Sequence, residues 1–329
     1  MNYKLLIKSA GVFFAGLLLI SFVSGCGNNQ KDEANNENSD TLVGTISLSG
    51  AFALYPMAVK WAEEFQKINP GVKIDVSAGG AGKGMTDALS GMVDMGMFSK
   101  SVSKEEEAQG AWWIAVTKDA VLPTINAKNP VLKELKAKGL TQQQFADIFL
   151  SKNKPTWGKI TGTSNATAIN LFTRSDACGA AEMWAKYLGK KQEDLNGTGV
   201  FGDPGIADAV KKDPNSIGFN NVIYVYDLNT KKIYDGLEVI PLDVNANGTI
   251  DPEENFYGTL TEISQAIKDG KYPSPPAREL YFVSKGKPTK KIMVAFLNWI
   301  LTDGQKFVQE GGYVHLDQNR IDTELNKLK

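Results

Sequence analysis

Histidine is nearly missing from this chain: His315 is the only one in 329 residues. Without a second imidazole, a histidine-based zinc site or a Ser–His–Asp triad has almost nothing to be built from. Cysteine is nearly as scarce, with Cys26 and Cys178 the only two. Since Cys26 lies at the end of the N-terminal leader, Cys178 is a lone thiol with no disulfide partner and no histidine to activate it. Arginine occurs only at 174, 278 and 320, and the formal net charge is −1. A nucleic-acid partner would require a basic footprint, which such a balance does not offer. With no nucleophile–base pair to assemble, the chain reads as a binding protein and not an enzyme.

Long apolar runs are missing too, apart from one. Ala10–Val23, behind Lys4 and Lys8, is too short to cross a bilayer comfortably and ends in "VSGC". Residues 1–25 therefore read as an export signal. Cleavage before Cys26 would make that cysteine the first mature residue, and the pattern resembles the bacterial lipoprotein signal, whose cysteine is lipidated. Residues 26–41 are polar and are expected to form a disordered tether. The expected location is extracytoplasmic, with the lipid as the link to the membrane.

The remainder of the chain is patterned. Leu42–Gly50 alternates as a strand, and "YPMAVKWAEEFQKI" places Trp61 and Phe65 on one helical face before Asn69-Pro70-Gly71 stops it. Val72–Ser77 and Val93–Ser99 read as further strands flanking a helix at Met85–Ser90. Strands alternating with helices predict an α/β architecture with parallel sheet. "AWWIAVTKDAVLPTIN" is long enough to cross between lobes, and "GFNNVIYVYDL" reads as a returning strand. Helices are expected at Leu260–Lys268 and Lys290–Leu301, with Gln305–Glu310 after them. "PSPPAREL" reads as an extended structural stretch.

Two stretches suggest an anion site. "FTRSDACGAAEMWAKYLG" runs from Arg174 through small residues into an amphipathic helix, offering a guanidinium and backbone N–H groups. "SAGGAGKGMT" is a Gly-rich turn before a helix. It is not a P-loop, because Ser77 and Gly84 stand where glycine and a hydroxyl residue are needed, and Met85 breaks a dinucleotide fingerprint. A generic anion cradle and a tight turn packing a helix on a strand both remain open for it.

"SGAFALYPMAVKWAEEFQKINPGVKIDVSAGGAGKGM", "GMVDMGMFSKSVSKEE", "TRSDACGA", "NSIGFNNVIYV" and "YFVSKGKP" together resemble, in order along the mature chain, the substrate-binding lipoproteins of phosphate ABC transporters. The resemblance implies a type II periplasmic-binding-protein fold, with two lobes and a ligand cleft between them. It also implies a monomer that captures phosphate or a related small anionic solute for a membrane permease. The lobes are expected at 45–122 plus 222–329 and at 123–221. The family's three donor loops map onto Ala53 and Leu54, onto Ala81, and onto Arg174, Cys178, Gly179 and Ala180, with Ser99 beside the anion.

The mapped loops lack the family's hydroxyls, since alanine or cysteine stands where serine or threonine is usual. Four lost hydrogen bonds correspond to roughly 6 kcal/mol, against the roughly 8 kcal/mol of micromolar binding. The loss opens two alternatives to a phosphate receptor. One is a receptor for a larger, less charged ligand; the other is a sensory or assembly lipoprotein on the same scaffold.

"DVNANGTIDPEE" (Asp243–Glu254) is a separate signal. It fits D-x-[DN]-x-[DN]-G-x5-E, with Asp243, Asn245, Asn247, the Thr249 carbonyl, Asp251 and Glu254 as oxygen ligands and Gly248 at the sharp turn. A strand-like stretch precedes it, which resembles the structural calcium loop of some sugar-binding periplasmic proteins. One structural Ca²⁺ is expected there.

Overall fold

A computed structural model of the chain describes residues 41–329 except 154. The expected signal, Cys26 and the tether up to residue 40 lie outside the described residues. Among the described residues no helix is long and apolar enough to cross a membrane.

Among the described residues nine strands join in one sheet: β1 (Gly44–Gly50), β2 (Val72–Ala78), β3 (Met95–Phe98), β4 (Ala111–Asn126), β5 (Asn170–Arg174), β6 (Thr198–Val200), β7 (Ser216–Asn221), β8 (Leu237–Val239) and β9 (Ala277–Lys285). Their order is β2-β1-β3-β9-β4-β7-β5-β6, with β8 also on β4. β1 runs parallel to β2 and β3, and β5 runs parallel to β6 and β7. The antiparallel pairings sit between these groups, where β4 meets β9, β7 and β8. The parallel sheet expected from the strand–helix alternation is therefore present twice.

β4 joins the two halves. Ala111–Ala120 pairs with β9, and Val121–Ile125 pairs with β7. Its side chains divide accordingly: Ile114, Ala115 and Val116 enter a first hydrophobic core, and Ala120, Val121, Leu122 and Ile125 a second. A strand buried along nearly its whole length needs an apolar sequence without alternation. Ala111–Asn126 has that character over most of its length.

The helix Tyr55–Ile68 shows how the first core forms. Pro56 occupies its first turn, where no intrahelical N–H is needed, and Met57, Trp61 and Phe65 recur every four residues on the buried face. Each of these large side chains stabilises the fold by roughly 1.5–3 kcal/mol. Trp61 Nε1 is satisfied by the Gly304 carbonyl at 2.9 Å. Asn69 ends the helix, donating its backbone N–H to Phe65 O at 3.0 Å.

Several expectations need correction. The helix expected at Met85–Ser90 begins at Ala81, because Gly80 (φ +92°) supplies a conformation that lets the chain turn straight from β2. The chain touches the first core at Ile223 but does not stay in it as the expected 222–329 segment would. Tyr226, Val239, Leu242, Tyr257, Ile263 and Tyr272 all lie in the second core, because β8 pairs with the far end of β4. The chain returns to the first core at Leu280. After Lys291–Leu301 comes a 3₁₀ turn, Asp303–Phe307, in place of a helix at Gln305–Glu310. The last helix, Gln318–Leu328, was not anticipated; Asp317 caps it by accepting Arg320 N at 2.9 Å.

Candidate functional site

The three predicted loops come together between the two cores. Ala53, Leu54, Ala81, Ser99, Cys178 and Ala180 are all buried. The Gly-rich turn touches the arginine loop directly, with Gly82 N donating to Ala177 O at 3.0 Å. A Cβ on Gly80 would meet Asp176 Oδ2 at 2.7 Å, and one on Gly179 would meet Ser99 Oγ at 2.3 Å. These glycines are required by close approach between loops.

The Gly-rich turn is largely occupied by its own packing. Gly79 and Gly80 both donate to Gly50 O. A Cβ on Gly84 would meet Met97 O at 2.5 Å, so this helix lies on β1 and β3 at backbone distance. Lys83, the one cation of the motif, pairs with Asp87, which also accepts Ser49 Oγ at 2.7 Å. The structural reading of this stretch thus has direct support, with one N–H taken by the facing loop.

Arg174 is enclosed more completely than its sequence suggests. Its Nε and Nη2 donate to Asp176 at 2.8 and 2.6 Å, and Nη1 donates to Asp203. The side chains of Arg174 and Asp203 are each 1% exposed. Burial alone would lower the guanidinium's pKa, but the charge of Asp203 and the Asp176 carboxylate outweigh it and the pKa rises. The Phe52 ring lies 5.4 Å from Cζ of Arg174 and packs edge-on against Phe201. One guanidinium therefore faces two carboxylates and an aromatic face, leaving the cluster locally negative.

Cys178 takes the N-cap position of the helix Gly179–Tyr187, its Sγ accepting Ala181 N at 3.4 Å. Burial pushes the thiol up to about 12, against the pull of Arg174, so it is protonated and unreactive at neutral pH. Its backbone N–H donates to Gln192 Oε1 at 3.1 Å, while Gln192 Nε2 donates to Asp176 O at 2.7 Å. The first-turn N–H groups of Gly179 and Ala180 have no intrahelical acceptor. They form the donor set that helix geometry still offers to an anion.

Sequence reasoning missed Asp176, Gln192, Asp203 and Tyr224. Asp176 stands in the arginine motif itself, two residues from Arg174, and its charge was the available signal. Asp203 and Gln192 are distant in sequence, and nothing local marked them. Tyr224 donates its hydroxyl to Phe52 O at 3.0 Å, which ties the first loop to the 3₁₀ turn Val222–Tyr224.

The loop Asp243–Glu254 packs on the second core, not on the lobe expected for it. Asp243 N donates to Leu140 O and Ile250 N to Ala137 O. Gly248 has the positive φ (+81°) that the motif requires. Asp243 and Glu254 are 3% and 6% exposed. Asp243 accepts Asn247 N and Gly248 N, and Glu254 accepts Val244 N and Asn245 N. Among the described residues no lysine or arginine pairs with either carboxylate. Asn245 and Asn247 both reach Asp251, at 2.9 and 2.8 Å. No set of three or more His, Cys, Asp and Glu side chains is placed to hold a metal among the described residues. The three acids of the motif, Asp243, Asp251 and Glu254, are instead taken up by hydrogen bonds within the loop.

Comparison with known proteins agrees with this architecture. A "Phosphate-binding protein PstS" from Methanocaldococcus jannaschii is 28% identical over 381 aligned residues, covering 98% of this chain and 96% of that protein. Its namesake in Bacillus subtilis is 24% identical, covering 94% of this chain and 96% of that protein. A Clostridium perfringens structure, described as a putative phosphate ABC transporter substrate-binding protein with bound phosphate, superposes with a TM-score of 0.67. It is 22% identical and covers 83% of this chain and all of that one. An ABC-type phosphate transport receptor from Vibrio cholerae gives a TM-score of 0.60 at 17% identity, covering 82% of this chain and 100% of that one. The fold is the type II periplasmic-binding-protein fold, and its family consists of solute-binding proteins, not enzymes. Since the PBP superfamily domain profile matches residues 35–304, the chain belongs to the PBP superfamily.

Proposed function

We propose that this chain is the extracytoplasmic, lipid-anchored solute receptor of an ABC transporter, working as a monomer and delivering phosphate or a related oxyanion to a membrane permease. The observation that carries this reading is the convergence of the three loops. Arg174, Ser99 and the start of the Gly179–Tyr187 helix meet between two cores that are joined by β4 and its antiparallel partners. The named function of the relatives is in keeping with it. Cys26 carries the lipid.

The saturation of Arg174 by Asp176 and Asp203 favours a second reading. With that charge already answered and the hydroxyls replaced by Ala53, Ala81, Cys178 and Ala180, a larger and less charged ligand suits the same cleft. A sensory or assembly role on this scaffold is the remaining alternative. Calorimetry on ligand-stripped protein with phosphate, sulfate and a panel of organic solutes separates the three. Heat with phosphate supports the receptor reading, and heat only with an organic solute supports the second. No heat with any solute would leave the non-transport role.

The loop Asp243–Glu254 is proposed to hold one structural Ca²⁺. Its support is the motif together with two buried carboxylates that have no cationic partner among the described residues. A site of the extracellular type, with a dissociation constant of about 0.1–1 mM, stabilises by about 2.7 kcal/mol when calcium is a hundredfold above it. Added calcium should raise the melting temperature and chelator should lower it. Identical melting in both would refute the site.

A further inference from the structure

A cavity of about 560 Å³ opens beside β4 and β9, lined by Lys118, Lys186, Lys268, Arg278 and Glu279 among others. It draws on both halves of the molecule. Lys118 and Arg278 come from β4 and β9, Lys186 from the helix Gly179–Tyr187, and Lys268 from the helix Leu260–Lys268. Four of these side chains are cationic and one is acidic. The acid is already engaged: Glu279 accepts Arg320 Nε and Nη2 at 3.0 and 2.8 Å, and Tyr281 Oη at 3.1 Å.

The cations are not answered in the same way. Lys118 has Asp317 at 3.6 Å. Lys186 and Lys268 are exposed and have no carboxylate partner among the described residues. Arg278 is 7% exposed. Its Nη2 donates to Asn221 Oδ1 and lies 3.6 Å from Asp119 Oδ2, while Nε and Nη1 find no acceptor among the described residues. A buried guanidinium with two unanswered nitrogens is costly. Excess positive charge at one cavity also attracts anions from solution.

We propose that this cavity is a second anion site, separate from the Arg174 loops, and that it takes an oligophosphate chain. Its volume exceeds what one orthophosphate fills. Its cations are spread over four separate elements, which suits several linked anionic groups better than one. The two exposed lysines supply the outer contacts, and Arg278 provides a fixed buried charge on β9. The site stands whether or not the Arg174 loops hold phosphate. A ligand there would touch β4 and β9 on one side and helices of the second core on the other.

The test is titration calorimetry of the full mature protein with sodium tripolyphosphate at low salt, run beside orthophosphate and ATP. The variant is Lys186→Ala/Lys268→Ala, whose exposed side chains leave the fold intact, as its melting curve would verify. Tripolyphosphate should bind the wild type and lose at least about fivefold in affinity in the variant, with orthophosphate binding unchanged. The tripolyphosphate affinity should also fall as salt rises. Equal affinity for ATP would assign recognition to the chain of phosphates alone, and tighter ATP binding would extend the site to an esterified form. No tripolyphosphate binding, or binding that the double variant leaves untouched, overturns the proposal. A loss of orthophosphate binding in the variant would also overturn it, by merging the cavity with the Arg174 site.

Discussion

Arg174 and Arg278 are both buried, yet their surroundings treat their charge in opposite ways. Arg174 is met by two carboxylates, one of them bidentate, and by the face of Phe52. Arg278 is met by an amide oxygen and by a carboxylate at 3.6 Å. Burial lowers the pKa of Arg278, with the charge of Asp119 working against it, whereas Arg174 ends above its ordinary value. A guanidinium whose nitrogens all point at carboxylates acts as a strut that fixes loops. One left half-answered keeps a buried charge that its surroundings compensate poorly. Position in an oxyanion motif therefore does not by itself make an arginine the ligand's partner.

The largest effect should come from cutting the strut. Arg174→Ala leaves Asp176 and Asp203 buried without their cation, and breaking such a pair from one side costs about 3–5 kcal/mol. Arg278→Ala removes a charge that was poorly compensated, so its loss should be less than about half as large. Denaturant unfolding of both variants measures the gap. Equal losses would erase the distinction between the two arginines.

Asp119 sharpens the same contrast through pH. Burial raises its carboxyl to about 7, and the Arg278 charge only partly opposes this. In the unfolded chain the group titrates near the ordinary aspartate value, about 3.9. The folded state thus binds the proton more tightly. Its contribution is complete below the unfolded value and is lost as pH rises through about 7. Asp119→Asn removes the titration. Wild type should lose stability relative to this variant as pH rises from about 4 to 7, and the difference should then level off. A difference independent of pH would show that Asp119 stays ionised beside Arg278 throughout.

Much of the fold was legible because its signals are local. The four-residue recurrence of Met57, Trp61 and Phe65 and the continuous apolar run of β4 each dictate one element. The order of the motifs then gave the family. Legibility ended where distant segments meet. Nothing near Leu237–Val239 states that it pairs with Thr124–Asn126, so the long excursion through the second core between Ile223 and Leu280 went unread. The site divides along the same line. Arg174, Cys178 and Gly179 were read from one motif, but the charge state of that motif depends on Asp203, twenty-nine positions away. Its shape depends on Gln192 and on Phe52 from the other side.

The smallest expected effect bears most directly on function. Cys178 caps its helix with a sulfur at 3.4 Å from Ala181 N, a weaker acceptor than a hydroxyl oxygen. Cys178→Ser should change stability by less than about 1 kcal/mol, because the better cap offsets the burial of a more polar atom. The new hydroxyl can also donate to an anion held at the helix start, beside Gly179 and Ala180. One such bond contributes about 1 kcal/mol, or about a fivefold tighter phosphate dissociation constant. Cys178→Ala, which restores no donor, is the control and should not tighten binding. Calorimetry on the three proteins compares them under one set of conditions. A gain confined to serine would mean that missing hydroxyls limit the affinity of this cleft for phosphate. No gain would place the limit at Arg174, whose charge Asp176 and Asp203 have already taken, and no hydroxyl restored nearby could then relieve it.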